Sequence, residues 1–211
     1  PREPALQPPL RAAARSPGSA AQLLCLQSLT KLVPSFDDTL ARLAKETGAR
    51  IGFFTGPAGP QPPERRFLAR LGAAFAALGL EPERHLELRP RTAYADYLAQ
   101  IAAADLVLDT PWFCGGATSL DTLHVGTPVV TWPGEFLRSR QTAGMLRLLE
   151  LPQGIATSED EYVANAVQLL ADADADAALR RRLRERAPRL FEAGAGLAAI
   201  ADLLEFGRVT S

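Results

Sequence analysis

The sequence predicts an α/β fold, a parallel sheet covered by helices on both faces and followed by a helical tail. Three observations predict it. Short apolar runs of strand type alternate with segments of helical period between residues 21 and about 157. The connections between them are short, and beyond residue 157 only helical segments remain. Parallel strands need crossover helices, and each helix must cover a sheet face, so this alternation gives a doubly wound sheet.

The elements follow in order. Residues 1–20 contain Pro1, Pro4, Pro8, Pro9, Pro17 and Gly18 and read as a linker or inter-domain segment. The apolar run 21–27 suits a buried strand. Residues 36–45 have helical spacing, with Ser35 as the expected cap behind Pro34. A second strand at 49–54 is closed by a loop over 56–63, and a helix follows at 64–78. A short strand at 86–88 precedes a helix at 94–103. The fourth strand, 106–108, opens into the loop 109–117 and a helix that starts near Thr118 and ends at Gly126. Residues 128–131 form a fifth strand and 138–149 a helix. The tail predicts helices at 159–170, 177–186 and 196–206. The expected division is a linker over 1–20, a sheet domain over 21–157, and helices over 158–211 packing on that same domain.

Composition sets limits on function. Of 211 residues 47% are hydrophobic and 22% charged, as in ordinary soluble proteins, and the net charge is −1. No whole-molecule field therefore attracts nucleic acid or an anionic membrane. No run of 18 apolar residues is present to span a membrane. The first 20 residues lack the apolar stretch of a signal peptide, so a cytoplasmic location is expected. Cys25 and Cys114 lie far apart, and His85 and His124 are isolated, so neither a disulfide nor a metal site is expected. The chain begins at Pro1 and is expected to be a fragment of a longer protein.

In a doubly wound sheet, ligands bind beyond the carboxyl ends of the strands. The most informative loop lies in LVLDTPWFCGGATSLDTLHVGTPVVTWPGEFLRSR, residues 106–140. A strand ends at Asp109, Gly115 and Gly116 let backbone approach a ligand closely, and Ala117, Thr118 and Ser119 open a helix. The first N–H groups of that helix lack internal partners and carry the positive dipole end, so they suit a diphosphate. Thr118 and Ser119 add hydroxyls, and Asp121, expected in the first helical turn, suits the hydroxyls of a ribose. A glycine-rich loop capped by Thr118, with Asp121 favouring the dipole, accounts for the same local pattern.

This stretch resembles the nucleotide-sugar loop of the O-GlcNAc transferase and SPINDLY family and its bacterial relatives. The family pattern has LDT, a glycine-containing loop, T-T or T-S, Asp, then G-T/V-P-V-V-T, P-G-E and S-R. Upstream, CLQSLTKLVPSF at 25–36 resembles the C-x-x-x-L-x-K-x-x-P start of the family's C-terminal catalytic half. The resemblance covers nearly all of the chain from residue 21. It implies a GT-B fold, in which two Rossmann-like domains face a cleft and the C-terminal one holds a UDP-sugar. It also implies a metal-independent inverting reaction with no cofactor beyond the UDP-sugar donor. Carried over by position, Lys31 matches the lysine that contacts the diphosphate, Thr118 a phosphate-binding hydroxyl, and Asp121 the ribose carboxylate. Gln27 and Ser28 fall at the mouth of the first strand, and Arg91 after the third strand joins the expected donor-binding residues.

The sequence departs from the pattern at several positions. Gly116-Ala117-Thr118 stands where animal members have His-Thr-Thr. Tyr94, Tyr97 and Gln100 fall near the family's Lys, His and Arg, which removes phosphate and base contacts. Glu135, Arg138, Arg140 and Gln141 follow the fifth strand, and the arginines there either replace some positive charge or are surface residues at a helix start.

Other features carry bland readings beside functional ones. Asp172, Asp174 and Asp176 contain a D-x-D pattern, but helix capping explains them better than a metal. Arg180, Arg181, Arg182, Arg184 and Arg186 are expected to form a solvated helix face rather than a nucleic-acid patch. Trp112, Phe113 and Trp132 either line a sugar or base pocket or pack against an N-terminal domain. His124 is expected in the core.

The expected function is the UDP-sugar-binding half, with UDP-GlcNAc as donor, of a transferase acting on a protein or glycan acceptor. Its expected partners include an N-terminal GT-B half and tetratricopeptide repeats. A non-catalytic nucleotide-sugar-binding or interaction domain is the alternative, and a sugar-nucleotide epimerase ranks last because few titratable groups fall at the strand ends.

Overall fold

The structure, a computed structural model, describes residues 9, 11, 15, 16, 18–56, 61–192, 201 and 204. In chain order it contains β1 (Gln22–Cys25), α1 (Asp37–Thr47), β2 (Arg50–Thr55), α2 (Pro62–Ala77), α3 (Pro82–His85), β3 (Leu86–Pro90) and α4 (Tyr94–Ala103). Then come β4 (Leu106–Leu108), α5 (Ala117–Val125), β5 (Val129–Val130), α6 (Gln141–Leu148), α7 (Glu159–Ala171) and α8 (Ala173–Arg186). All five strands are parallel, in the order β3-β2-β1-β4-β5. The doubly wound sheet expected from the apolar alternation is present.

The period of two along each strand divides the core between the sheet faces. Leu23 and Cys25 of β1, Ile51 and Phe53 of β2, and Leu106 and Leu108 of β4 pack with Leu40 and Leu43 of α1, Phe67, Leu71 and Phe75 of α2, and Tyr162 and Val163 of α7. The intervening residues Leu24 and Val107 face the other way, onto Leu98 and Ile101 of α4, Leu123 of α5, Leu146 of α6 and Leu183 of α8. Each such fully buried aliphatic side chain contributes roughly 1.5–3 kcal/mol.

Several boundaries differ from the sequence expectation for local reasons. Ser35 does not cap α1. It lies in a 3-10 turn, Pro34–Phe36, that runs straight into the helix, and Asp37 and Asp38 supply the acidic first turn. The last paired helix begins at Ala173 rather than near 177, because the Asp172 carboxylate accepts the N–H groups of Asp174 and Ala175. The helix expected at 138–149 starts at Gln141, behind a 3-10 turn at Leu137–Ser139. Most of the helix expected at 196–206, most of the 1–20 linker and residues 57–60 lie outside the described residues.

Three side-chain expectations are corrected. Arg180 is not on a solvated face: it is 4% exposed, pairs with Asp176, and donates to the carbonyls of Ala104 and Asp105 at 2.7 and 2.9 Å. Those carbonyls lie just past α4, at its C-cap and in the bend before β4, and the guanidinium serves them. Arg186 likewise donates to the carbonyl of Leu149 at 2.7 Å. His124 is half-buried in the last turn of α5 and meets the Phe191 ring edge-on at 5.8 Å, outside both core clusters. Of the acidic D-x-D residues, Asp172 caps α8 and Asp176 is taken by Arg11 and Arg180. Among the described residues no helix is long and apolar enough to cross a membrane.

Candidate functional site

From β1 the chain moves outward to β2 and β3, then crosses back to place β4 on the other side of β1. The sheet therefore has its switch point between β1 and β4, and a crevice opens beyond their carboxyl ends. The segment after β1 brings Gln27 and the 3-10 turn Leu29–Lys31 to this crevice. The segment after β4 brings the glycine pair and the start of α5.

The two segments meet through side chains. Lys31 Nζ donates to Gln27 Oε1 at 3.0 Å, and Gln27 Nε2 donates to Thr118 Oγ1 at 2.8 Å. The lysine ammonium also lies 4.0 Å from the centre of the Phe113 ring. Amine, amide and hydroxyl thus form one chain across the switch point, on the same side of the sheet as Gly115 and Gly116.

The glycine loop is built from below by Asp109. Its Oδ1 accepts the Gly115 N–H and its Oδ2 the Thr131 hydroxyl, both at 2.7 Å, while Tyr162 Oη donates to the Asp109 carbonyl at 3.0 Å. Burial pushes the Asp109 carboxyl up to about 6, against the hydrogen bonds that favour its charged form. The Gly115 N–H is thereby committed to the protein. Gly115 matters instead for space: a Cβ there would run into Ser119 Oγ and approach Thr118 Oγ1 at 2.7 Å and Gln27 Nε2 at 2.8 Å. The N–H groups of Ser119 and Leu120 are bonded to the Gly116 carbonyl, whereas none of those of Gly116, Ala117 and Thr118 meets a protein acceptor among the described residues. Those three amides, at the positive end of the helix dipole, are left for an anion.

Not every expected residue reaches the crevice. Ser119 is 4% exposed and shares a 2.7 Å hydrogen bond with Thr142 Oγ1, so its hydroxyl is turned into the protein body. Asp121 is the fifth residue of α5 rather than part of its first turn, and its Oδ1 accepts from Tyr94 Oη at 2.7 Å. Glu135, Arg138 and Arg140 are exposed, and Arg138 lies against the Phe136 ring at 4.4 Å. Trp112, 50% exposed and in the left-handed region at φ 69°, packs 6.2 Å from Trp132. None of these four residues lines either cavity beside the crevice.

The cavities themselves lie beyond the ends of β1, β2 and β3. One, of about 310 Å³, is lined by Leu26, Gln27, Ser28, Phe54, Arg91, Thr92, Tyr94, Tyr97 and Thr118. The other, of about 500 Å³, shares Ser28, Phe54 and Arg91 with it and extends towards Arg66 and Arg70. Ser28 and Arg91 therefore do stand at the site. Phe54, Tyr94 and Tyr97 were missed as wall residues by sequence reasoning. The signal available was the aromatic pair at i and i+3 that opens the helix after β3.

The family model of glycosyl transferase family 41 matches residues 69–194, more than half of the chain. This chain belongs to glycosyl transferase family 41. Among curated relatives, a Caenorhabditis elegans UDP-N-acetylglucosamine--peptide N-acetylglucosaminyltransferase is 38% identical over 105 residues, covering 50% of this chain and 9% of that protein. A probable enzyme of the same name, SPINDLY from Petunia hybrida, is 32% identical over 75% of this chain and 17% of its own length. The family 41 chain thus spans only a minor part of these relatives. A mutant of Thermobaculum terrenum O-GlcNAc transferase superposes with a TM-score of 0.78 at 28% identity, covering 96% of this chain and 38% of that one. Staphylococcus aureus TarM, at 12% identity and a TM-score of 0.63, shares the fold alone. The resemblance drawn from the LDT, P-G-E and C-x-x-x-L-x-K-x-x-P motifs and the expected GT-B-type architecture are both borne out.

Proposed function

We propose that this chain is the donor-binding half of a UDP-sugar transferase, with UDP-GlcNAc as donor and a protein or glycan hydroxyl as acceptor. The observation that carries the reading is the Lys31–Gln27–Thr118 chain across the switch point, beside the amides of Gly116, Ala117 and Thr118. Glycosyl transfer breaks the bond between the anomeric carbon and the diphosphate, leaving negative charge on the departing oxygen. A lysine amine, helix amides and a hydroxyl held in place before the reaction stabilise that charge more than the ground state. On this reading the reaction is metal-independent, because the cradle itself supplies the neutralising charge, and inverting, as the family resemblance implies. An N-terminal GT-B half completes the cleft in the longer protein, with tetratricopeptide repeats before it, and the protein works in the cytoplasm.

Lys31→Ala tests the cradle. Removing one charged donor is expected to weaken UDP binding by about tenfold or more, since such a hydrogen bond contributes roughly 1.5–3 kcal/mol. Titration calorimetry reads the affinity directly, and UDP protection in thermal melting should fall in parallel. Equal protection of both proteins would remove Lys31 from the site. No heat with millimolar UDP or UDP-GlcNAc would favour a non-catalytic interaction domain, a reading to which the replacement of His-Thr by Gly116-Ala117 also points.

A further inference from the structure

We propose that Phe113 is a positioning residue for Lys31: its ring holds the ammonium in place while leaving its charge for a diphosphate. This rests on the nucleotide reading above and adds a residue that acts through the lysine rather than on the ligand. Among the described residues the Lys31 ammonium has two partners, Gln27 Oε1 at 3.0 Å and the Phe113 ring, whose centre is 4.0 Å away. Both are neutral, and no carboxylate pairs with Lys31 among the described residues. An ammonium has three N–H donors, so the bond to Gln27 leaves the others for a ligand. A carboxylate partner would also hold the amine, but it would offset the charge that a departing diphosphate needs. An aromatic face attracts the cation through its quadrupole and leaves that charge whole.

The loop after β4 is built to put this ring there. Phe113 is 43% exposed and lines neither cavity beside the crevice, so neither core burial nor a pocket wall accounts for its place. The chain reaches it through Trp112, a residue with a side chain held in the left-handed region at φ 69°. Such a conformation persists only where its surroundings impose it. Here the Phe113 N–H donates to the Pro111 carbonyl at 2.8 Å, and the buried Thr110 hydroxyl donates to the Phe113 carbonyl at 2.7 Å. The next N–H, of Cys114, donates to the Arg138 carbonyl at 2.8 Å. Three hydrogen bonds thus fix the backbone around an exposed ring. Like the bond from Gln27 to Thr118, the contact joins the segment after β1 to the segment after β4. The amine is therefore held from both sides of the switch point, by Gln27 from its own segment and by Phe113 from the glycine loop.

The test is calorimetric titration of the whole chain with UDP, for the unaltered protein, Phe113→Leu, Phe113→Tyr, Lys31→Ala, and Phe113→Leu combined with Lys31→Ala. Phe113→Leu keeps an apolar side chain but removes the quadrupole, and is expected to weaken UDP binding by about two- to fivefold. Phe113→Tyr keeps the ring and should bind UDP as the unaltered protein does. With Lys31→Ala already in place, Phe113→Leu should cost nothing further, since its effect passes through the amine. A loss of the same size on both backgrounds would mean that Phe113 acts on the nucleotide or the loop directly, and overturns the assignment. Unchanged affinity in Phe113→Leu, or an equal loss in Phe113→Tyr, overturns it as well. If the unaltered protein binds no UDP, or Lys31→Ala binds it as tightly, the nucleotide reading itself falls. If only the Phe113 outcomes fail, that reading stands without this residue.

Discussion

Gly115→Ala is expected to abolish measurable UDP protection and to weaken UDP binding by tenfold or more. The backbone at Gly115 is not in the left-handed region, so the obstacle is space rather than backbone strain. One methyl group there meets the side chains of Ser119, Thr118 and Gln27 together. None can yield alone, since Ser119 is bonded to Thr142, and Gln27 is bonded to both Thr118 and Lys31. Displacing Gln27 therefore releases the lysine amine and the threonine hydroxyl in one move. Overpacking of this kind costs about 1–3 kcal/mol of stability, and tenfold in affinity corresponds to roughly 1.4 kcal/mol. Thermal melting and calorimetry separate the two effects. An alanine variant that binds UDP as the unaltered chain does would show that the glycine loop is no part of the site.

Asp109→Ala should produce the largest loss of stability. It strands the Gly115 N–H and the Thr131 hydroxyl inside the protein, each at roughly 1–3 kcal/mol, for a total of about 2–6 kcal/mol. Because the same carboxylate shapes the glycine loop, UDP binding should fall with it. Asp109→Asn isolates the charge. The buried carboxyl titrates near 6, above its ordinary value of 3.8, so the folded state binds the proton more tightly than the unfolded state. Its stabilising contribution is full below the ordinary carboxylate range and is lost as pH rises towards and through 6. The displacement corresponds to on the order of 3 kcal/mol. Asp109→Asn should therefore gain on the unaltered protein by up to that amount between pH 4 and pH 7, followed by denaturant unfolding at each pH. Asp37, also raised by burial, contributes in the same direction in both proteins and cancels from the difference. A variant that loses ground as pH rises would contradict this assignment.

Much of the fold was legible from local pattern. The strands at 22–25, 50–55, 86–90 and 106–108 fall on the apolar runs, and α4 at Tyr94–Ala103 matches its expected bounds. Gly126 ends α5 with φ 81°, a conformation that glycine adopts without strain. Short 3-10 turns such as Leu29–Lys31 were not legible, because three residues carry no period to detect. The site was legible in part. Lys31, Gln27, Ser28, Thr118 and Arg91 do gather at the crevice, and it was the family resemblance that pointed to the first four. Ser119 and Asp121 look equally suitable in the sequence, yet one hydroxyl is buried against Thr142 and the other carboxylate is taken by Tyr94.

The amino-acid order alone decided which segments become strands and helices, since burial period is a property of neighbouring residues. It also placed a lysine and a glycine pair at strand ends. Only the folded chain decided which side chains share the crevice. Gln27 and Thr118 are 91 residues apart and meet because the crossover puts β4 beside β1. The direction in which each hydroxyl or carboxylate points depends on partners supplied by that meeting, and no local pattern encodes them.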